Sequence, residues 1–205
     1  MSFYRFARAV MRFVVWLCFD FHVEGRENLP EGGGYILCSN HRTYLDPVFL
    51  GIKIKPQLFF MAKAELFRHK LLGVIIKHLG AFPVERGSGD SAPIDNAVRI
   101  LKEGQVFAVF PEGTRSKDGV PLRPKSGAAL IAWKTGADII PAGISFQGKL
   151  GFRRKVTLRY GKPIPSGELG FTEGLPRELR EASKLMMGRI VELVDPVKQI
   201  ESAGK

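Results

Sequence analysis

A histidine and an aspartate five residues apart, in His41-Arg42-Thr43-Tyr44-Leu45-Asp46, are of types suited to moving a proton. A neutral imidazole can take the proton of a hydroxyl as that hydroxyl attacks, while a carboxylate on the other ring nitrogen fixes the tautomer and stabilises the imidazolium. In a regular helix, residues five apart point about 140° away from each other, so the pair meets only on a loop. Pro47 favours that loop, because proline disfavours helical geometry in the residue before it and suits a first helical turn. Asp46 is then expected to cap a helix beginning at Pro47. A carboxylate has about four acceptor sites, so capping a helix and holding an imidazole are compatible. The spacing alone leaves two readings open: a base with its orienting carboxylate, or a helix cap beside an incidental loop histidine.

A second stretch, Phe110-Pro111-Glu112-Gly113-Thr114-Arg115-Ser116, follows the apolar run Val106 to Val109. Gly113 lets the backbone turn tightly, Thr114 and Ser116 bring hydroxyls, and Arg115 brings a planar fork suited to phosphate. An exposed turn with Arg115 paired to Glu112 fits the same residues. A third stretch, Gly80 to Arg86, places Arg86 just after a short apolar segment, and a fourth, Ile139 to Ile144, is apolar but interrupted by Pro141. Proline costs a sheet a ladder hydrogen bond, so Pro141 is expected at an edge, a bulge or a strand end, and such bends often border a pocket. Lys63 and Lys125 fall at expected strand-to-helix junctions, Lys125 beside a helix N-terminus whose free N–H groups favour anions.

These residues need a scaffold, and the chain alternates in a way that supplies one. Strands are expected at Tyr35–Ser39, Leu58–Ala62, Val106–Phe110, Ile139–Ser145 and Lys155–Tyr160, with a weaker one at Phe82–Val84 and an edge strand at His22–Glu27. Helices are expected from Pro47 to near Gly51, Glu65 to Leu79, Pro93 to Glu103, Ser126 to Thr135 and Pro176 to Val194, several with proline at the start and glycine past the end. The alternation indicates an α/β fold: a single domain with a central, mostly parallel or mixed sheet flanked by helices. In such sheets, ligands gather where loops leave the carboxyl ends of the strands.

Ahead of this domain, expected over residues 22–205, residues 1–21 are expected to form an amphipathic interfacial helix. Phe3, Phe6, Val10, Phe13, Val14 and Leu17 share one face, and Arg5, Arg8 and Arg12 lie within about 60° of one another on another. The uncharged part is far short of the roughly 20 apolar residues that span a bilayer, and arginines within the apolar run disfavour a signal peptide.

The 205 residues carry 31 Lys+Arg against 20 Asp+Glu, a formal net charge of +11 that suits an anionic partner. No nucleic-acid-binding motif accompanies the basicity, which disfavours nucleic acid as that partner. Cys18 and Cys38 form neither a Cys-x-x-Cys pair nor a disulfide framework, pointing to a reducing cytosolic setting. His22, His41, His69 and His78 lack metal-ligand spacing, so no metal is expected.

In this order and spacing, the stretches Asn40-His41 to Asp46, Phe82 to Arg86, Phe110 to Arg115 and Ile139 to Gly143 resemble the glycerolipid acyltransferase family, specifically 1-acylglycerol-3-phosphate acyltransferases, over roughly Val23 to Gly161. The resemblance implies a glycerol-3-phosphate acyltransferase-like fold. It implies transfer of a fatty acyl group from a thioester, acyl-CoA or acyl carrier protein, to the free hydroxyl of lysophosphatidate, giving phosphatidate without a cofactor. Another lyso-lipid or glycerol-3-phosphate is the alternative acceptor, and a non-catalytic anionic-lipid-binding module the alternative class. By the same resemblance His41 is the general base and Asp46 its orienting partner. It also implies that Arg86, Glu112, Gly113 and Arg115 form the acceptor site, with Lys63 on the acceptor phosphate and Pro141 bordering the acyl pocket; from their residue types and places alone, the Thr114 hydroxyl is expected to join the acceptor site and Lys125 to add an anion contact. The expected location is the cytoplasmic face of a membrane, peripheral or monotopic through the N-terminal helix.

Because the substrate brings the hydroxyl, no enzyme nucleophile is required, and Gly143-Ile144-Ser145-Phe146-Gln147-Gly148 is indeed not a Gly-x-Ser-x-Gly elbow. A tetrahedral intermediate also needs an oxyanion stabiliser, for which backbone N–H groups of Asn40 to Thr43 are the candidates.

Overall fold

The computed structural model describes residues 3–85 and 91–194. Helix α1 (Phe3–Cys18) runs without a linker into strand β1 (Phe19–Glu24), followed by β2 (Ile36–Ser39), α2 (Asp46–Gly51), β3 (Leu58–Lys63), α3 (Ala64–Arg68), α4 (Lys70–His78) and β4 (Ala81–Val84). Then come α5 (Ala92–Lys102), β5 (Val106–Val109), α6 (Gly127–Thr135), β6 (Ile139–Ser145), β7 (Arg154–Tyr160) and α7 (Pro176–Val194). The seven strands form one sheet in the order β1-β7-β6-β2-β5-β3-β4.

All neighbours are parallel except β6 and β7. The exception follows from the connection: residues 146–153 hold no helix, and a parallel return needs a crossover of a dozen or more residues. The sheet is buried on both faces, so β2 reads as an unbroken apolar run instead of an alternating one. Ile36 and Cys38 pack with Ala97, Ile131 and Met186 of α5, α6 and α7, and Leu37 packs on the other side with Val15 of α1 and Phe49 and Leu50 of α2.

Three expectations need correction. The N-terminal helix ends at Cys18, not near residue 21. Phe19, Phe21 and Val23 alternate with the exposed Asp20, His22 and Glu24, and this two-residue period makes them the edge strand.

The helix expected over Glu65–Leu79 is two helices. His69 is extended, with φ −77° and ψ 104°, and α4 folds back on α3 so closely that a Cβ on Gly73 would lie 2.8 Å from the Phe67 carbonyl oxygen. Pro141, finally, stands in an interior strand. Its carbonyl accepts the N–H of Gly161 at 2.8 Å, so its nitrogen also faces the β7 side, where β7 has already ended at Tyr160. The missing N–H therefore costs the β2·β6 ladder nothing.

Candidate active site

The loops after β2 and β5 and the carboxyl ends of β3 and β4 meet at one end of the sheet around a cavity of about 990 Å³. Its wall includes His41, Lys63, Gly113, Thr114, Arg115 and Lys125, together with apolar residues such as Phe60, Val109, Phe110 and Ile131. Six residues singled out in the sequence are thus brought together. Arg86, also expected in this group, lies outside the described residues.

His41 and Asp46 meet on the loop. Nδ1 of His41 is 2.7 Å from Oδ2 of Asp46, the His41 side chain is 17% exposed and the Asp46 side chain fully buried. Asp46 is not the N-cap that the sequence suggests: Leu45 takes that position and Asp46 lies in the first turn of α2. Its carboxylate instead turns back onto the loop. Oδ2 also accepts the N–H of Arg42 at 2.6 Å and of Thr43 at 2.8 Å, and Oδ1 accepts the Thr43 hydroxyl at 2.7 Å. Three internal donors and an imidazole satisfy the buried carboxylate more fully than helix amides would, as a buried charge requires. With Nδ1 engaged, Nε2 is the nitrogen His41 offers to the cavity, and Phe110 holds the ring plane by stacking at 4.0 Å between centroids, inclined 15°.

The same bonds overturn one expectation. The N–H groups of Arg42 and Thr43 are spent on Asp46, and that of His41 donates to Oε1 of Glu112 at 2.7 Å. Three of the four candidate backbone donors for an oxyanion are therefore committed elsewhere.

Glu112, expected on the acceptor, is placed beneath the loop and off the cavity wall, with its other oxygen accepting the Leu122 N–H at 2.8 Å. Burial pushes its carboxyl pKa up, partly offset by the N–H donors of Leu122 and His41. Arg115 does not pair with Glu112 and lies instead over the exposed Tyr44 ring, 3.6 Å from its centroid. Gly113 has φ 68°, and the Lys125 stem crosses its open face, 3.0 Å from where a Cβ would sit. Lys63 pairs with Glu65 at 2.8 Å, both half-exposed. Pro141 is buried and not on the cavity wall, touching Gly161.

Two contributions escaped the sequence reading. Arg42 lies over the Phe146 ring at 3.8 Å and donates to the Phe146 carbonyl at 2.8 Å, tying the His41 loop to the end of β6. Helix α1 supplies part of the cavity wall through Tyr4, Ala7, Arg8 and Met11, and Arg8 donates to the carbonyls of Ile54 and Lys55. The i, i+3, i+4, i+7 spacing of these four residues was a signal for an inward face.

Residues 20–145 match the family described as Acyltransferase. A 1-acyl-sn-glycerol-3-phosphate acyltransferase of Bacillus subtilis is 32% identical over 201 residues, covering 96% of this chain and all of that one. A relative of the same name from Streptococcus pneumoniae is 31% identical over 82% of this chain and 64% of its own. The crystal structure of the 1-acyl-sn-glycerophosphate acyltransferase PlsC from Thermotoga maritima superposes with a TM-score of 0.72 at 28% identity, over 95% of this chain and 82% of that one. The match over most of the α/β domain, with a full-length relative and a shared fold, places this O-acyltransferase chain in the acyltransferase family.

Proposed function

We propose that this protein transfers a fatty acyl group from an acyl thioester, acyl-CoA or acyl carrier protein, to the free hydroxyl of lysophosphatidate, giving phosphatidate. The observation that carries this reading is His41, held at Nδ1 by a fully buried aspartate on the wall of an apolar cavity that also presents Lys63, Arg115 and Lys125. The relatives' names supply the acceptor.

Nε2 of His41 takes the hydroxyl proton as the acceptor oxygen forms its bond to the thioester carbonyl carbon. The tetrahedral intermediate collapses with cleavage of the carbon–sulfur bond, and the imidazolium returns the proton to the departing thiolate. Asp46 keeps the tautomer with Nε2 unprotonated before the step and stabilises the imidazolium after it. Arg115, Lys63 and, by family resemblance, Arg86 take the acceptor phosphate, with Lys125 beside them. The apolar wall takes the acyl chains.

Purified protein given lysophosphatidate with either thioester donor should release free thiol and form phosphatidate. His41→Ala should lower turnover about 10²–10⁴-fold, the usual contribution of a positioned base, with unchanged circular dichroism. Thiol release by His41→Ala at the wild-type rate, or none by the wild type with either donor, would overturn the assignment.

A further inference from the structure

Beside the large cavity lies a smaller hollow of about 210 Å³, between the segment that leads into α6 and one face of α7. Arg123, Lys125 and Ser126 line it from the first side, and Arg180, Ser183 and Lys184, spaced i, i+3 and i+4 on the helix, from the second. Lys125 lines the large cavity as well, so the two spaces adjoin there.

The hollow is walled by unneutralised charge. Among the described residues, Arg123, Lys125 and Arg180 have no carboxylate in ion-pair contact. Lys184 is paired with Glu181 at 2.8 Å, and that carboxyl is held below its usual pKa by Lys184 first and then by Arg177 and Arg180. The Ser126 hydroxyl makes no capping bond to α6. Like charges gathered around a concavity repel one another, and an anion seated among them relieves that repulsion. Arginine forks and hydroxyls are the side-chain types that phosphate oxygens bind best.

The place of the hollow is fixed relative to His41. The Lys125 N–H donates to the Pro111 carbonyl at 2.8 Å, which fastens this segment to the loop whose Glu112 holds His41. On the far side, Ala182 and Met186 of α7 pack in one core cluster with Ala128 and Ile131 of α6.

We infer that this hollow holds the phosphate of the acyl donor's pantetheine arm, while the large cavity holds the thioester and its acyl chain beside His41. Acyl-CoA and acyl carrier protein share that chemistry, since each carries the reacting sulfur at one end of a pantetheine arm and a phosphate at the other. An apolar space with a histidine and an adjoining cationic one match the two ends of such an arm. The acceptor phosphate keeps Lys63 and Arg115, so the two anions are divided between separate cations, with Lys125 between them. The inference rests on the thioester donor proposed above.

The test compares wild type with Arg123→Gln/Arg180→Gln. Both side chains are exposed, neither lines the large cavity and neither is in an ion pair, so thermal melts of the two proteins should coincide. Three thioesters of one acyl chain serve as donors: acyl-CoA, acyl carrier protein and acyl-pantetheine, which has the arm without the phosphate. For the phosphorylated donors the variant's KM should rise about 10-fold through loss of charge-assisted contacts, with kcat and the KM for lysophosphatidate within about 2-fold. The KM for acyl-pantetheine should be the same in both proteins. A rise with only one of the phosphorylated donors upholds the site and names its source.

An equal KM rise for acyl-pantetheine would overturn the inference, as would an unchanged KM for both phosphorylated donors. A KM rise for lysophosphatidate alone would give these cations to the acceptor, and weaker binding to acidic vesicles with donor kinetics intact would give them to the membrane; either result overturns it too. Equilibrium binding of phosphopantetheine against pantetheine needs no turnover. Wild type should prefer the phosphorylated arm and the variant should not; no preference in wild type would overturn the site. That preference without phosphatidate formation would instead count against the proposed reaction, so the two failures are distinguishable.

Discussion

His41 is gripped by its main chain from both sides: its N–H donates to Oε1 of Glu112 at 2.7 Å, and its carbonyl accepts the N–H of Ser116 at 2.8 Å. The loop after β5 therefore sets the height of His41 above the cavity floor. Glu112→Gln keeps the side-chain shape but turns an amide NH₂ toward either the His41 or the Leu122 N–H. An unpaired buried donor costs about 1–3 kcal/mol, lessened here because the carboxylate's own burial is unfavourable. The expected outcome is a melting temperature lower by several degrees and kcat lower by about 10-fold, with KM for lysophosphatidate within about 2-fold. A rise in KM with unchanged kcat would instead place Glu112 on the acceptor.

Asp46 does two jobs that substitution can separate. Asp46→Asn retains a side chain of the same size but removes the charge proposed to stabilise the imidazolium; its oxygen can still accept the N–H groups of Arg42 and Thr43 only if its NH₂ takes the place of Oδ1 at the Thr43 hydroxyl. Activity should fall about 10³-fold, within the range for loss of a positioned base. Thr43→Val removes only the hydroxyl that donates to Oδ1 and accepts the Leu45 N–H. It should cost about 1–3 kcal/mol of stability and a far smaller part of the rate, and Thr43→Ser should restore both. Steady-state kinetics alongside urea melts checks the separation.

Much of this site is legible in residue types because strand, turn and helix signals agree along the chain. β6 and α7 have the expected bounds, and the other strands and helices outside the α1–β1 and α3–α4 regions lie close to them, since glycine and proline punctuate them. What was not legible depends on partners distant in sequence. The carboxylate of Asp46 chooses loop donors over helix amides because three converge on it, which no local spacing encodes. Pro141 is tolerated inside the sheet only because β7 stops at Tyr160. The α3–α4 break at His69 is invisible to a helical period that continues through it, whereas the α1–β1 boundary was present as a switch from period 3.6 to period 2.

Lys63 reaches the cavity while paired with Glu65 across 2.8 Å, so an acceptor phosphate bound there, as proposed, would compete with that carboxylate. The pair is half-exposed on both sides, so solvent screens it and it holds only weakly. Glu65→Gln should therefore lower KM for lysophosphatidate modestly, by less than about 5-fold, and Lys63→Gln should raise it by about 10-fold with kcat little changed. Equal KM values for wild type and both variants would remove Lys63 from the phosphate site.

Cys38 sits at 0% exposure in β2, and burial pushes its thiol pKa far up, whereas Cys18 at the end of α1 is partly exposed. Only the thiolate alkylates readily. Iodoacetamide at neutral pH should thus modify Cys18 in the native protein and Cys38 only after unfolding, read by peptide mass. Rapid native labelling of Cys38 would mean that β2 opens on the labelling timescale and that the base stands on a less rigid strand than the packing indicates.

Glu178 supplies a pH-dependent clasp at the start of α7. One carboxylate oxygen accepts the N–H groups of Thr172, Glu173, Gly174 and Leu175, and the other accepts the Thr172 hydroxyl. The hydroxyl and then the amides hold its pKa down to about 2, from an ordinary 4.5. A carboxyl whose folded pKa is depressed contributes stability that is present above its unfolded pKa and is lost as pH falls through the folded value. Wild type should therefore unfold at higher urea than Glu178→Gln at pH 6–7, and the gap should narrow as the pH drops below 4.5 toward about 2. A gap that is constant from pH 7 to pH 3 would mean that the clasp stabilises through packing of the side chain and not through its charge.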